Sequence, residues 1–337
     1  MDGLRCCFRK AWGLVAFLSL CGCQTKVNPA SSKTKHALLQ GSVSDGLKGK
    51  PKQPRSQAAS TSKKFSVRTT PPKPSKKEMQ RRRNMQQYES ILRNVARQRV
   101  RFKRRWLSSR GRKRRRVLAQ ASAYLGQQLI QKLFPAWYGV PWIIVDEQQP
   151  GETAVDFTKR KRAIAAAQRL ENPYRQGIQT HCSLFVTTTL KHLGFRVERY
   201  KLSWQLSSNI IRTLTFRRRS KWIVGKPMSV FLRHVRRYGR GVFLVGLDDH
   251  TGYIVFGKVR SPAGSTWKDG VYFCHADYGQ EPQQVRCEPA LRSPVLTQSR
   301  VKVLGKLFSL DRNSLNTRLV KAWLFQRKIR TVGSHKE

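Results

Sequence analysis

The chain has 337 residues, with 68 Lys and Arg against 18 Asp and Glu, for a formal net charge of +50. Charge on that scale repels itself in a compact state and attracts polyanions such as nucleic acid, anionic lipid or acidic wall polymer. Four of the seven cysteines (Cys6, Cys7, Cys21 and Cys23) precede residue 24, which excludes a disulfide framework as their purpose; the length suits two domains, or one with long appendages.

The chain starts with a basic stretch carrying Arg5, Arg9 and Lys10, followed by the apolar run AWGLVAFLSLCGC. That run is too short to span a bilayer as a helix but has the length of a signal-peptide core. It ends Leu20-Cys21-Gly22-Cys23, which resembles a bacterial lipobox. The resemblance implies a signal peptide over 1–22, cleavage before Cys23 and lipidation of its sulfur. The product would be an exported lipoprotein, membrane-anchored and facing the periplasm or the cell exterior. A short uncleaved anchor is the alternative, and it too takes the chain out of the cytoplasm.

Residues 23–78 are rich in Ser, Thr, Lys, Pro and Gln with almost no aromatics, a composition expected to remain a disordered tether. Residues 79–133 form a basic helical region. In its first part Ile91, Val95, Val100 and Trp106 give only loose helical spacing with Arg on every face, so no core-forming stripe is expected there. Gly111 breaks this stretch, and VLAQASAYLGQQLIQKLF then carries Leu118, Ala121, Leu125, Leu129 and Leu133 near the 3.6 period of an amphipathic helix.

From residue 134 the text reads as globular. FPAWYGVPW is aromatic and turn-rich, and 159–170 reads as a helix. A helix opening at Cys182 carries Phe185, Val186, Leu190 and Leu193 on one stripe, with Gly194 as its stop. SWQLSSNIIRTL and SVFLRHVRRYG are two further short helices. The period then changes to strands: GVFLVGL, TGYIVFGKV, GVYFCHADY and RVKVLGKLF, before a closing helix in NTRLVKAWLFQRKI. Helices first and antiparallel strands afterwards define an α+β class.

Cysteine is a nucleophile as the thiolate, and a helix N-terminus with a nearby imidazole lowers its pKa. Cys182 has that position, and two histidines follow on strands: His250 in LDDHTGYIVF and His275 in VYFCHADYG. A base that takes the thiol proton, held by a third polar group, is the general form of a nucleophilic triad. Cys274 alternates with His275 and points to the other face, so it reads as core or as a disulfide partner of Cys287. His192 and His234 read as solvated, Asp248 and Asp249 as a turn. His275 with Asp277 supplies two ligands but not the third that a metal site needs. No cofactor motif stands out.

At these residues the chain resembles the NlpC-type bacterial cell-wall cysteine peptidases. H-C-S-L-F-V stands where that family has a D-C-S-G-F-V-like run, H-T-G-Y-I where it has H-V-G-x-Y, and F-C-H-A where it has F-x-H-A. The resemblance implies a papain-like domain over 134–330, with Cys182 as nucleophile, His250 as base, His275 as orienting residue and Tyr138 of WYGVPW at the oxyanion site. His181 and Leu184 depart from the family run, and the hairpin between the histidines is longer. A divergent branch with W-Y-G-T-P-W and C-G-Y-F-V-T-T runs is similar over a longer stretch. The implied function is cleavage of an amide in a peptidoglycan-derived peptide, with an anionic membrane surface or wall polymer as partner of the basic segment. Two other readings stay open: a non-catalytic binding module on the same fold, and a basic nucleic-acid-binding protein.

Overall fold

The computed structural model describes residues 75–142, 171–216, 220–261, 268–311 and 314–331, with isolated positions between 151 and 162 and at 264 and 265. The expected signal segment 1–22, Cys23 and the tether as far as residue 74 lie outside the described residues, as does most of the helix expected over 159–170.

Helix α1 (Lys76–Leu107) starts with a capping arrangement, in which the Ser75 side chain accepts from the Glu78 backbone N–H at 3.1 Å. Here the expectation that the basic helix contributes nothing to a core is corrected. Tyr88, Val95 and Phe102 recur every seventh residue and are buried, with Ile91, Leu92 and Trp106 packed beside them. A stripe that narrow resembles a coiled-coil seam, and the arginines occupying the remaining positions hide it from an average over the helix. Phe102 packs against Tyr124 and Trp323, and the hydroxyl of Tyr88 bonds His192 Nδ1 at 2.7 Å. The helical region expected to stand apart at 79–133 therefore shares one core with the residues after 134. His192, read as solvated, is buried in that junction.

After Gly111, helix α2 (Gly111–Gln128) continues through a π-turn at Leu129–Leu133 into the short α3 (Phe134–Trp137). Next come α4 (Cys182–His192), β1 (Arg196–Val197), α5 (Arg199–Ser203) and α6 (Ser207–Thr215). Gly194 follows α4 at φ +84, the left-handed conformation expected of a helix stop. The rest is β2 (Ser220–Val224), α7 (Met228–Arg237), β3 (Gly241–Gly246), β4 (Thr251–Gly257), β5 (Gly270–Ala276), β6 (Val285–Pro289), α8 (Pro294–Gln298), β7 (Val301–Ser309), α9 (Thr317–Leu324) and β8 (Lys328–Ile329). Six strands form one antiparallel sheet in the order β2-β7-β3-β4-β5-β6, and β1 pairs with β8 in parallel. The α+β class holds.

Strand alternation divides the core in two. Val242, Leu244, Tyr253, Val255, Cys274 and Cys287 join α1, α2, α4 and α9 on one face. Phe243, Val245, Ile254 and Phe273 face α7 and α8 on the other. Cys274 and Cys287 are directly opposite in the β5–β6 register and form the expected disulfide. Among the described residues, no helix is long and apolar enough to cross a membrane.

Candidate active site

Cys182 is the first residue of α4 and is half-buried; His181 precedes it in extended conformation as the N-cap. The backbone N–H groups of Thr251, the residue after His250, and of Ser183 act on its sulfur in the direction that lowers the thiol pKa. These contacts favour a thiolate, but burial outweighs them and pushes the thiol above its ordinary value, with the nearby Asp249 charge acting in the same direction. The expected lowering at the helix N-terminus is thus overturned for the resting protein. Desolvation of the anion exceeds what the helix end and its N–H groups return.

His250 closes a tight turn, its carbonyl accepting from Leu247 N–H at 2.8 Å, immediately before β4. Asp248 anchors that turn to β7 by accepting from the N–H groups of Arg300 and Val301 and from the Ser299 hydroxyl. The imidazole is 1 % exposed, and burial, with the neighbouring His275, holds its pKa well below 6.5. His250 Nε2 lies 2.9 Å from His275 Nδ1, and His275 Nε2 lies 3.3 Å from Glu288 Oε1. Burial raises the Glu288 carboxyl, yet hydrogen bonds from His275 and Ser293 outweigh it and keep the group below its usual range.

That chain assigns the tautomers. An ionised Glu288 only accepts, so His275 Nε2 carries a proton and, in the neutral ring, Nδ1 is an acceptor. His250 must then donate from Nε2, which leaves Nδ1 as a bare lone pair. Nδ1 is buried and has no hydrogen-bond partner. A neutral imidazole with its lone pair unengaged, one residue along from the Thr251 N–H that acts on the cysteine sulfur, has the form of a general base.

Two residues of this arrangement were not singled out in the sequence. Glu288 is one, and the signal for it was present: pairing Cys274 with Cys287 places the neighbours His275 and Glu288 together on the opposite face. The other is Tyr278, whose ring lies 5.2 Å from that of His250 and whose hydroxyl donates to Asp249 Oδ2 at 3.1 Å. The Asp249 carboxylate and the Cys182 sulfur share in raising that phenol to about 12, after burial itself. Trp142 of the WYGVPW run packs on Tyr278 at 5.6 Å.

Tyr138 takes another direction. Its hydroxyl donates to the Arg260 carbonyl at 2.8 Å, and its ring lines a separate cleft with Tyr88, Tyr174 and Ser261. Asp277 is engaged by the Gly279 N–H at 2.9 Å and by Arg286 at 3.3 Å. Comparison with protein-family models, with curated proteins and with solved structures gives no match for this chain in any of the three.

Proposed function

We propose that the chain is an exported, lipid-anchored cysteine hydrolase with a papain-like domain of the NlpC type, cleaving an amide in a peptidoglycan-derived peptide. One observation carries the reading: the Glu288–His275–His250 relay ends on an unpartnered Nδ1, and His250 is flanked in sequence by Asp249 and Thr251, whose carboxylate and backbone N–H both act on the Cys182 thiol. Because burial keeps the thiol protonated at rest, the proton moves as the substrate is attacked rather than beforehand. His250 Nδ1 takes the thiol proton while sulfur bonds the carbonyl carbon; the resulting oxyanion is stabilised by the Cys182 backbone N–H. His250 returns the proton to the leaving nitrogen as the C–N bond breaks. Water, deprotonated by the same Nδ1, then displaces sulfur from the thioester and restores the thiol. His275 and Glu288 hold the ring and its tautomer throughout.

The test is incubation of the full chain with a muropeptide mixture, read by mass spectrometry, with Cys182→Ala as control. New amine and carboxyl termini that appear only with the intact cysteine support the reading. Anchoring is tested separately: Cys23→Ala should free the protein from the membrane fraction in high salt. A second reading, a binding module with an unused site, is favoured by the burial of His250 under Tyr278. Uncut muropeptides together with an unreactive Cys182 would select it.

A further inference from the structure

A cleft of about 690 Å3 opens between the end of α6, helix α9 and strand β8, and it shares none of its lining residues with the site around Cys182. Six cations line it: Arg212, Arg318, Lys321, Arg327, Lys328 and Arg330. No carboxylate lines it, and of these six only Lys328 has an acidic partner among the described residues, Glu198 at 2.8 Å. Phe216, turned into the cleft by its left-handed backbone at φ +57, supplies an apolar wall with the Arg318 guanidinium 5.9 Å from its ring.

We propose that this cleft binds a linear phosphodiester polymer through its phosphates, without reading base or sugar. Like charges gathered on the walls of a concavity raise the local potential, and an anion held between them offsets their repulsion. Arg presents a fork that suits phosphate oxygens, and Phe216 gives the uncharged links between phosphates a surface to lie on.

The positive surface continues past the cleft, which favours a polymer over a small anion. Lys321 Nζ lies 5.8 Å from the Trp106 ring, over which Arg114 also sits at 4.4 Å; Lys103 and Arg327 are each 5.8 Å from the Phe325 ring. These aromatic rings carry the row of cations from the cleft to the elbow between α1 and α2. The sequence from 94 to 116 holds no acidic residue. A membrane is the poorer fit, because its planar surface cannot enter a concave row of charges. The large apolar side chains that are well exposed, such as Trp204 and Leu206, are not among the residues that line it.

The full chain is titrated, with anisotropy readout, against a mixed-sequence single-stranded oligonucleotide and against poly(glycerol phosphate) of equal phosphate number. Vesicles containing phosphatidylglycerol form a third arm, read by co-sedimentation. A triple variant, Arg318→Gln with Lys321→Gln and Arg330→Gln, is compared with a charge-matched control, Arg233→Gln with Arg236→Gln and Arg237→Gln on α7. All six side chains are exposed, so neither variant disturbs the core. The cleft variant should lose about tenfold or more in affinity for both soluble polymers, with the slope of log K against log salt falling by about 2, at ~0.7 per phosphate released. The control should change less than about twofold. Equal losses in the two variants would reduce the effect to net charge and overturn the site. Loss for the oligonucleotide alone would mean base recognition, and loss for vesicles alone would mean a membrane contact; either result also overturns it.

Discussion

His250 gives its Nε2 to His275 at 2.9 Å and keeps its Nδ1 free of any hydrogen bond. The ring is therefore held at one nitrogen while the other, buried, has no partner, a pairing that a base needs and a core histidine avoids. Removing His250 with Ala should lower turnover by roughly 10²–10⁴-fold or more, and Cys182→Ala should abolish it. Because the two act as a unit, the double variant should be hardly worse than Cys182→Ala alone. His275→Ala and Glu288→Gln should be milder, since water can replace part of an orienting contact. Steady-state rates on a cleaved muropeptide decide the order; additive losses would separate the two residues.

The direction of the two shifts fixes a pH signature. Burial raises the Cys182 thiol and lowers the His250 imidazole, so the resting pair is neutral. Alkylation of Cys182 by iodoacetamide should then be slower than that of free cysteine at neutral pH and climb through the alkaline range above 9. On the acid side, His250 stays unprotonated below 6.5, so the acid limb of kcat/KM should fall below that value. A labelling rate that is already flat between pH 5 and 7 would mean a preformed thiolate and would contradict this picture.

Much of the site could be read from the chain because each member sits at an element boundary with strong local signals. Cys182 begins an apolar helical stripe, and His250 and His275 sit where strand alternation starts or ends. Glu288 was missed because VRCEP is too short and too polar to announce a strand; β6 exists through its pairing and disulfide with β5. Strand β2 was missed for a similar reason, as Lys221, Trp222 and Val224 are exposed at the sheet edge and only Ile223 is buried. The packing of α1 was hidden by its arginines, since three buried residues in thirty-two barely alter a compositional average. Tyr138 followed from a motif rather than from geometry, and its hydroxyl is engaged at Arg260.

The glycine of the H-T-G run has a steric reason. A Cβ on Gly252 would lie 2.6 Å from the Phe273 ring, 2.9 Å from His275 Cβ and 3.0 Å from the Cys274 carbonyl oxygen. Gly252→Ala should cost about 1–3 kcal/mol by overpacking and displace the orienting histidine. Thermal unfolding and turnover should fall together. A variant that melts and turns over like the parent would show that the strands can part at no cost.

Helix α1 should be required for folding. Deletion through residue 116 removes Tyr88, Val95 and Phe102 from the core, taking the Tyr88 hydroxyl from Trp137 and the Phe102 ring from Trp323. Phe102→Ala alone should cost roughly 3–5 kcal/mol at the upper end for a buried aromatic, less if the site relaxes. Loss of cooperative unfolding in the deletion is expected, and a two-state melt near that of the full chain would show that α1 is an appendage after all.

The same junction should make the fold acid-sensitive. Trp137 Nε1 donates to the Tyr88 hydroxyl at 2.9 Å, Tyr88 bonds His192 Nδ1, and His192 Nε2 faces Glu171 at 3.4 Å, with Lys191 and Arg199 also on that carboxylate. Burial raises Glu171, but the His192 and Lys191 hydrogen bonds prevail and bring it down to about 2. A carboxyl depressed from 4.5 contributes stability above pH 4.5 and loses it as pH falls toward 2. Burial keeps His192 neutral, so its pKa too is lowered, and the unfolded chain binds its proton first as pH falls through 6.5. Both groups therefore favour unfolding in acid, beginning near pH 6.5 with the histidine and steepening below 4.5 with the carboxylate. Glu171→Gln should lower the melting temperature at pH 7 and flatten its decline between pH 4.5 and 2.5, while Tyr88→Phe, which spares the carboxylate, should lower the melt without flattening it. Parallel curves for Glu171→Gln and the parent would show that this carboxylate does not couple α1 to the domain.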